Sequence, residues 1–332
     1  MSTSYPCVLR FVAVVVFGQF ALLLFGCKKN DERNKQRVEP RLAFETLPCP
    51  EVSVDVSPHQ ETFHPSKSPY MVFTAAGDNH NVASWFSCGS PNFRIYVSFY
   101  GQNRTIEAKL RDIVESVDGL FEGGTSGFKD TFLFNGWQIS RNSTHPDHEK
   151  YYSFFLGVRY IFMPDDDLTL TADKLNLFFQ INSVLGLCYS AASQQFDATN
   201  PFQEWQSGLH VPDSLFRGDA FVETGIKCFR RDCFEVFMGA YSPTLFGFGV
   251  DYLAASVLFS SGLLNSTNHG VVDVIAVANP PVRRNGQREQ MLSGHDGVAE
   301  YQAFLRNHPG VVNTSWKNNV SKTNYNKFEN HT

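Results

Sequence analysis

Apolar and polar residues along this chain change their period several times, and each change marks a predicted element. Phe11 to Cys27 is an uncharged apolar run, near the lower limit of the roughly 17–25 residues of a membrane helix. From Lys28 to Pro69 the chain is polar and proline-punctuated with no sustained period, which reads as a stem. Tyr70 to Ala76 is a short apolar, β-leaning run stopped by Gly77-Asp78, and Phe93 to Tyr100 alternates as a strand does. Thr105 to Val117 carries Ile106, Leu110, Ile113 and Val117 at helical spacing, and Gly127 to Ile139 reads as a second helix. Tyr160-Ile161-Phe162-Met163 has the pattern of a buried strand, closed at once by Pro164 and the carboxylates Asp165, Asp166 and Asp167.

Thr171 then offers an N-cap and Asp173 a favourable first-turn charge, with Leu177, Ile181, Val184 and Leu185 expected to line one helix face. A loop-rich stretch from Gln194 to Gly218 precedes a strand over Phe221 to Cys228 and a helix from about Arg231. A turn at Gly247-Phe248-Gly249, a helix from Asp251 and a strand over Val271 to Val277 complete the pattern. Strands alternating with helices predict an α/β domain with a mostly parallel sheet, whose ligands collect at the carboxyl ends of the strands. The expected organisation is a short tail over 1–10, a signal-anchor helix over 11–27, a stem over 28–69, one folded domain over 70–290, and a C-terminal helix and disordered tail over 291–332.

Composition narrows the picture. At 332 residues, 42% hydrophobic and 14% aromatic, the chain can bury a sizeable core. A net charge of -5 and the lack of a basic stripe in the folded region argue against a nucleic-acid partner. Seven cysteines are too few for a disulfide scaffold and show no zinc spacing. Cys49 with Cys88, or Cys228 with Cys233, could bridge in an oxidising compartment.

Two signals set the orientation of the apolar run against each other. Lys28, Lys29, Arg33, Lys35 and Arg37 follow it while only Arg10 precedes it, which on charge alone places the folded domain in the cytosol. Sequons at Asn103, Asn142, Asn265, Asn313, Asn319 and Asn330 point to the lumen. Leu24-Phe25-Gly26-Cys27 also has the look of a bacterial lipoprotein cleavage site. The preferred expectation is a single-pass protein of a secretory-pathway membrane such as the Golgi, with its domain in the lumen.

Three adjacent aspartates after an apolar strand repel one another unless a cation neutralises them, and hard oxygen ligands suit Mn2+ or Mg2+. Asp165 and Asp167, two apart, are the candidate metal ligands; such an ion could hold the diphosphate of a nucleotide donor. Asp-rich loops are also common as solvated turns.

Several segments together resemble a known family. Met71-Val72-Phe73-Thr74-Ala75-Ala76-Gly77-Asp78, Tyr160 to Asp167, Phe221-Val222-Glu223, Gly247-Phe248-Gly249-Val250-Asp251 and Gly270-Val271-Val272-Asp273 occur in the order seen in domain-of-unknown-function family 707. That family looks like a divergent GT-A glycosyltransferase family and often carries an N-terminal anchor. The resemblance covers about Tyr70 to Pro281. It implies a GT-A-like, Rossmann-related sheet in a single catalytic-type domain, a nucleotide-sugar donor and a glycan or glycoconjugate acceptor. By position it implies Asp165 and Asp167 as metal ligands and Asp166, Gly77 and Asp78 near the donor. Asp251 becomes the first candidate for the catalytic base and Glu223 the second, because an acceptor hydroxyl must lose its proton to a carboxylate within hydrogen-bond reach. The sequence departs from the family pattern at Asn279, where a histidine is expected as a third metal ligand; His269 is the nearby substitute.

The leading expectation is therefore a metal-dependent glycosyltransferase, set against a non-catalytic, membrane-anchored lumenal protein that keeps the fold. A Mg2+-dependent phosphatase or nuclease would suit the aspartates but lacks the accompanying histidines.

Overall fold

The computed structural model describes residues 11–16, 19–24, 68–114, 116–118, 129–196, 208–218, 222–245 and 249–278, with a few helical residues between 299 and 306. The chain divides into a unit over Met1–Val56 and a larger one over Ser57–Thr332. In the first, Phe11–Val16 (β1) and Gln19–Leu24 (β2) pair as antiparallel strands with Phe11 opposite Leu24, in place of the single helix expected over 11–27. Val12, Val14, Val15 and Val16 are β-branched and favour extended backbone. Among the described residues no helix is long and apolar enough to cross a membrane. The stem and most of the C-terminal segment lie outside the described residues.

The larger unit is built on one mixed sheet. In chain order its elements are β3 (Tyr70–Ala76), β4 (Arg94–Phe99), α1 (Arg104–Arg111), β5 (Ser116–Asp118), α2 (Lys129–Arg141), α3 (His148–Phe155), β6 (Tyr160–Pro164) and α4 (Ala172–Leu185). There follow β7 (Tyr189–Gln194), β8 (Phe216–Gly218), β9 (Ile226–Arg230), α5 (Arg231–Ala240), α6 (Val250–Ser260) and β10 (His269–Val277). The strands lie in the order β5-β4-β3-β6-β9-β7-β10-β8. All run one way except β9, which is antiparallel to β6 and β7, and β8, which is antiparallel to β10. The expected α/β architecture with a mostly parallel sheet is present. Strands β4, β6 and β7 are buried along their whole length, as expected for strands covered on both faces.

The chain leaves β3 outward through β4 to β5 and then returns to lay β6 on the other side of β3. That reversal opens a crevice at the carboxyl ends of β3 and β6, the place where sheets of this kind take their ligands. Two side-chain bonds hold the crevice closed at its base. Thr74 donates from Oγ1 to the Pro164 carbonyl at 2.9 Å, and Trp85 donates from Nε1 to the Leu168 carbonyl at 3.0 Å.

Several sequence expectations shift in register or face. The helix expected to Val117 ends at Arg111: Ile113 falls in the turn that follows, and Val117 belongs to the edge strand β5. Helix α4 is capped by Thr171 as expected, whose Oγ1 accepts from the Lys174 N–H. Of the expected face Ile181 is buried, together with Leu175, Phe178, Phe179 and Asn182, while Val184 is 69% exposed, Leu177 40% and Leu185 39%. With apolar residues all round the helix, the large aromatic pair won the core: Phe178 lies 4.7 Å from Phe162 and Phe179 4.9 Å from Tyr70. Strand β7, with the small residues Ser-Ala-Ala-Ser at its centre, had no expected counterpart, and the strand expected over Phe221 to Cys228 is displaced to Ile226–Arg230. Cys233 bonds to Cys188 and leaves Cys228 free and buried, so the Cys228–Cys233 alternative is not the one formed. Cys88 is also disulfide-bonded.

Asp273 closes the far edge of the sheet. It is fully buried, takes Arg217 Nε at 2.7 Å and Nη2 at 3.1 Å, and accepts the Val211 N–H at 3.1 Å. Breaking such a pair leaves an unmatched guanidinium. Asp273→Asn is expected to cost about 3 kcal/mol, the low end for a buried pair because Arg217 is partly exposed, measured as a lower denaturant midpoint at unchanged slope.

Candidate active site

The carboxylates singled out in the sequence gather at the carboxyl edge of the sheet. Asp165 follows the last residue of β6, and its N–H donates to the Gly225 carbonyl at 2.7 Å. Because β9 runs antiparallel, the turn before it, Glu223 to Gly225, reaches the same edge. A Cβ on Gly225 would stand 2.7 Å from Asp165 Oδ2 and 3.5 Å from Glu223 Oε1. Glycine is thus required for the turn to approach Asp165, and the two carboxyl groups are brought close to each other.

Asp166 spans the crevice. Its Oδ2 accepts the Gly77 N–H at 2.8 Å and its carbonyl accepts the Asn81 N–H at 2.6 Å, so the loop after β3 and the loop after β6 are tied together. Burial pushes its carboxyl up to about 7, the Gly77 bond pulls it down, and Asp167 and Asp165 raise it further. Asp167 is exposed. Asp78 is turned toward α1: its oxygens accept the N–H groups of Asn103 at 2.9 Å and Gln102 at 3.2 Å, fixing the start of that helix.

Glu223 is held by a buried amide, with Gln194 Nε2 donating to Oε2 at 2.6 Å. Burial, then Asp165 and Asp251, push its carboxyl up to about 7, opposed by Lys129 and by the Gln194 bond. Asp251 opens α6 behind Gly249, whose φ of +79° is the left-handed conformation that favours glycine. Its Oδ1 accepts the Tyr252 N–H at 2.9 Å. Burial raises it to about 6, the Tyr252 bond and Lys227 oppose that, and Asp130 adds to it. The buried Tyr189 phenol, pushed far up by burial, also feels Asp251, Asp130 and Glu223.

Two lysines that the sequence reading passed over sit beneath these acids. Lys129 Nζ donates to Asp165 Oδ1 and to the Met163 carbonyl, both at 2.7 Å, and to the Gly225 carbonyl at 3.4 Å. Lys227 Nζ meets Asp130 Oδ1 at 2.6 Å with both side chains buried, and donates to Thr224 Oγ1 at 2.7 Å. Burial depresses the Lys227 ammonium, against the pull of Asp130. Lysine inside the apolar run Ile226-Lys227-Cys228-Phe229 was the legible signal, since lysine is almost never fully buried without a partner. Lys129-Asp130 looked like an ordinary helix start.

For a divalent cation the oxygen chemistry is right, but Asp165 is already met by an ammonium. Among the described residues no three metal-type side chains converge. His269 does not supply a third ligand here: it begins β10, opposite Tyr189 at the amino end of β7, and its Nδ1 lies 2.6 Å from the Asn265 carbonyl. The carboxyl end of β10 does approach the triplet, where the Thr169 N–H donates to the Ala278 carbonyl at 3.0 Å. Asn279, the next residue, lies outside the described residues.

No family model matches the chain, and no curated protein matches it. Among solved structures, the chain is similar to residues 1–349 of S. aureus TarS in complex with UDP-GlcNAc at 12% identity and a TM-score of 0.46, covering 71% of this chain and 64% of that one. It is similar to a mannosyltransferase from Pyrobaculum calidifontis in complex with GDP-Man and Mn2+ at 9% identity and a TM-score of 0.44, over 73% and 66% of the two chains. Glucosyl-3-phosphoglycerate synthase from Mycobacterium tuberculosis, in complex with Mn2+, UDP and phosphoglyceric acid, matches at 11% identity and a TM-score of 0.42, over 71% and 78%.

The raised carboxyls carry a stability signature. Glu223 in the folded chain holds a proton up to about pH 7, whereas its ordinary value is 4.5. The unfolded chain therefore binds fewer protons across that window, so stability falls as pH rises through it. The melting temperature is expected to fall from pH 5 to pH 8, and Glu223→Gln to flatten the slope; calorimetric scans across that range measure both.

Proposed function

We propose that this chain is a glycosyltransferase whose donor is a nucleotide sugar, bound at the crevice between β3 and β6, and whose acceptor is a glycan or glycoconjugate. The observation that carries the reading is the surplus of carboxylate over cation at that edge. Lys129 and Lys227 answer Asp165 and Asp130, and the two acids left without a cation of their own, Glu223 and Asp251, are raised to about 7 and about 6. Carboxylates poised this near neutrality suit proton transfer. The order of motifs that resembles the glycosyltransferase-like family supports the same assignment.

Glu223 feels both Asp165, in the triplet, and Asp251, on α6. This suits a donor on the triplet side and an acceptor on the α6 side. Asp251 takes the proton of the acceptor hydroxyl as that oxygen bonds to the anomeric carbon. The bond from that carbon to the diphosphate breaks, and its electron pair leaves with the nucleoside diphosphate. Asp166 and the Gly77 N–H keep the donor crevice in register, and Gln194 orients Glu223. A divalent cation, Mn2+ or Mg2+, would be held by Asp167 and by Asp165 once Lys129 has released it, and would supply positive charge against the leaving diphosphate.

We also read the apolar segment over 11–27 as a tether to a secretory-pathway membrane such as the Golgi, with the larger unit in the lumen. The Cys188–Cys233 bond supports an oxidising compartment, and the sequon residues Asn103, Asn142 and Asn265 are exposed. An endoglycosidase is expected to speed the migration of the expressed chain on a gel; unchanged mobility, with degradation by a protease added outside intact vesicles, would reverse the orientation.

Asp251→Asn is expected to leave donor binding in place and to lower transfer by about 10²–10⁴-fold, the usual contribution of a positioned base. Calorimetry with a panel of nucleotide sugars and product analysis separate the two effects. Should no donor bind or raise the melting temperature of the wild-type chain, the non-catalytic reading takes its place.

A further inference from the structure

The geometry points to Lys129 as the resident counter-ion of Asp165, one that competes with a divalent cation for that carboxylate. The Lys129 ammonium has three donors and three acceptors within reach: Asp165 Oδ1, the Met163 carbonyl and the Gly225 carbonyl. Its side chain is 10% exposed and that of Asp165 is 38%. The lysine therefore meets the carboxylate from the protein side, while solvent reaches the acid from the crevice. A divalent cation approaching from the crevice meets a carboxylate whose charge is already answered, and its own charge opposes the ammonium across a few ångströms.

The helix that carries Lys129 is held in place. Asp130, the next residue, is bound to the buried Lys227 at 2.6 Å, so the first turn of α2 is anchored to β9 whatever Lys129 does. Displacement is then confined to the four-carbon lysine stem, which is flexible. Two consequences follow for the protein without a cation: Asp165 needs no metal to be stable, and the affinity of the site for a bare cation is lower than three adjacent aspartates suggest. The inference rests on the proposed reading of the crevice only in taking Mn2+ as the relevant ion.

The test uses the full chain without any nucleotide sugar. Mn2+ is titrated calorimetrically into wild type, Lys129→Gln and Lys129→Arg. Lys129→Gln, which keeps a hydrogen-bond donor and loses the charge, is expected to bind Mn2+ about tenfold more tightly than wild type, the scale of one charge-assisted contact. Lys129→Arg is expected to stay near wild type. A second measurement needs no substitution at Lys129 and decides the matter should Lys129→Gln fail to fold. Acylation of Lys129, read by peptide mass spectrometry, is expected to rise several-fold in wild type at saturating Mn2+ and to rise without Mn2+ in Asp165→Asn. Equal Mn2+ affinity in wild type and Lys129→Gln, absence of binding in both, or Lys129 acylation that Mn2+ leaves unchanged would overturn the inference. Donor binding is scored separately, so loss of this competition leaves the glycosyltransferase reading standing, and loss of that reading leaves the competition measurable.

Discussion

The pairing of adjacent, oppositely charged residues at the start of α2 with partners on two neighbouring strands is the constraint on which the site depends. Successive helix positions point in different directions, so Lys129 serves Asp165 at the end of β6 while Asp130 serves Lys227 inside β9. Burying the Lys227 ammonium without Asp130 would cost several kcal/mol, and Asp130 has no reason to enter the core except to meet it. The same two pairs draw the ends of β6 and β9 together, and that approach is what demands glycine at residue 225. The fold at this edge and the chemistry of this edge are thus one arrangement.

Its electrical consequence is an imbalance. Two lysines cannot neutralise Asp165, Asp130, Glu223 and Asp251 together, and desolvation makes the uncompensated charge expensive. Burial and neighbouring acids raise Glu223 to about 7 and Asp251 to about 6, and Lys129 and Lys227 oppose those shifts only in part. Asp166 reaches about 7 for the same leading reason, as burial outweighs the bond from Gly77. An incoming diphosphate would add negative charge to this edge, so its binding must be coupled to proton uptake, to a cation, or to both.

Much of this was legible in the sequence. The strand-plus-triplet at Tyr160 to Asp167, the Thr171 cap and the Gly249-Val250-Asp251 helix start all rest on local rules of period, capping and turn chemistry, and each stands where the pattern placed it. What the sequence hid was decided at long range. Strand β7 has small residues with no apolar alternation and is a strand because β9 and β10 flank it. The buried side of α4 was chosen by Phe162 on the preceding strand and by Tyr70, which is far from it in sequence. The role of Lys129 depends on Asp165, and that of Gln194 on Glu223, pairs joined only by the sheet order. Conversely, His269 sits near the right motif in sequence and at the wrong end of its strand in space.

The central claim is that this edge receives the diphosphate of a nucleotide sugar, and proton linkage tests it most directly. Nucleotide sugars titrated calorimetrically at pH 7, without a divalent cation, in two buffers of different ionisation enthalpy would report protons taken up on binding. Placing a diphosphate beside Asp166 and Glu223 raises both carboxyls further, so the account predicts binding heats that differ between the buffers by net proton uptake, reduced in Glu223→Gln. Binding with equal heats in the two buffers, or no heat with any donor whether Mn2+ is absent or added, would contradict it.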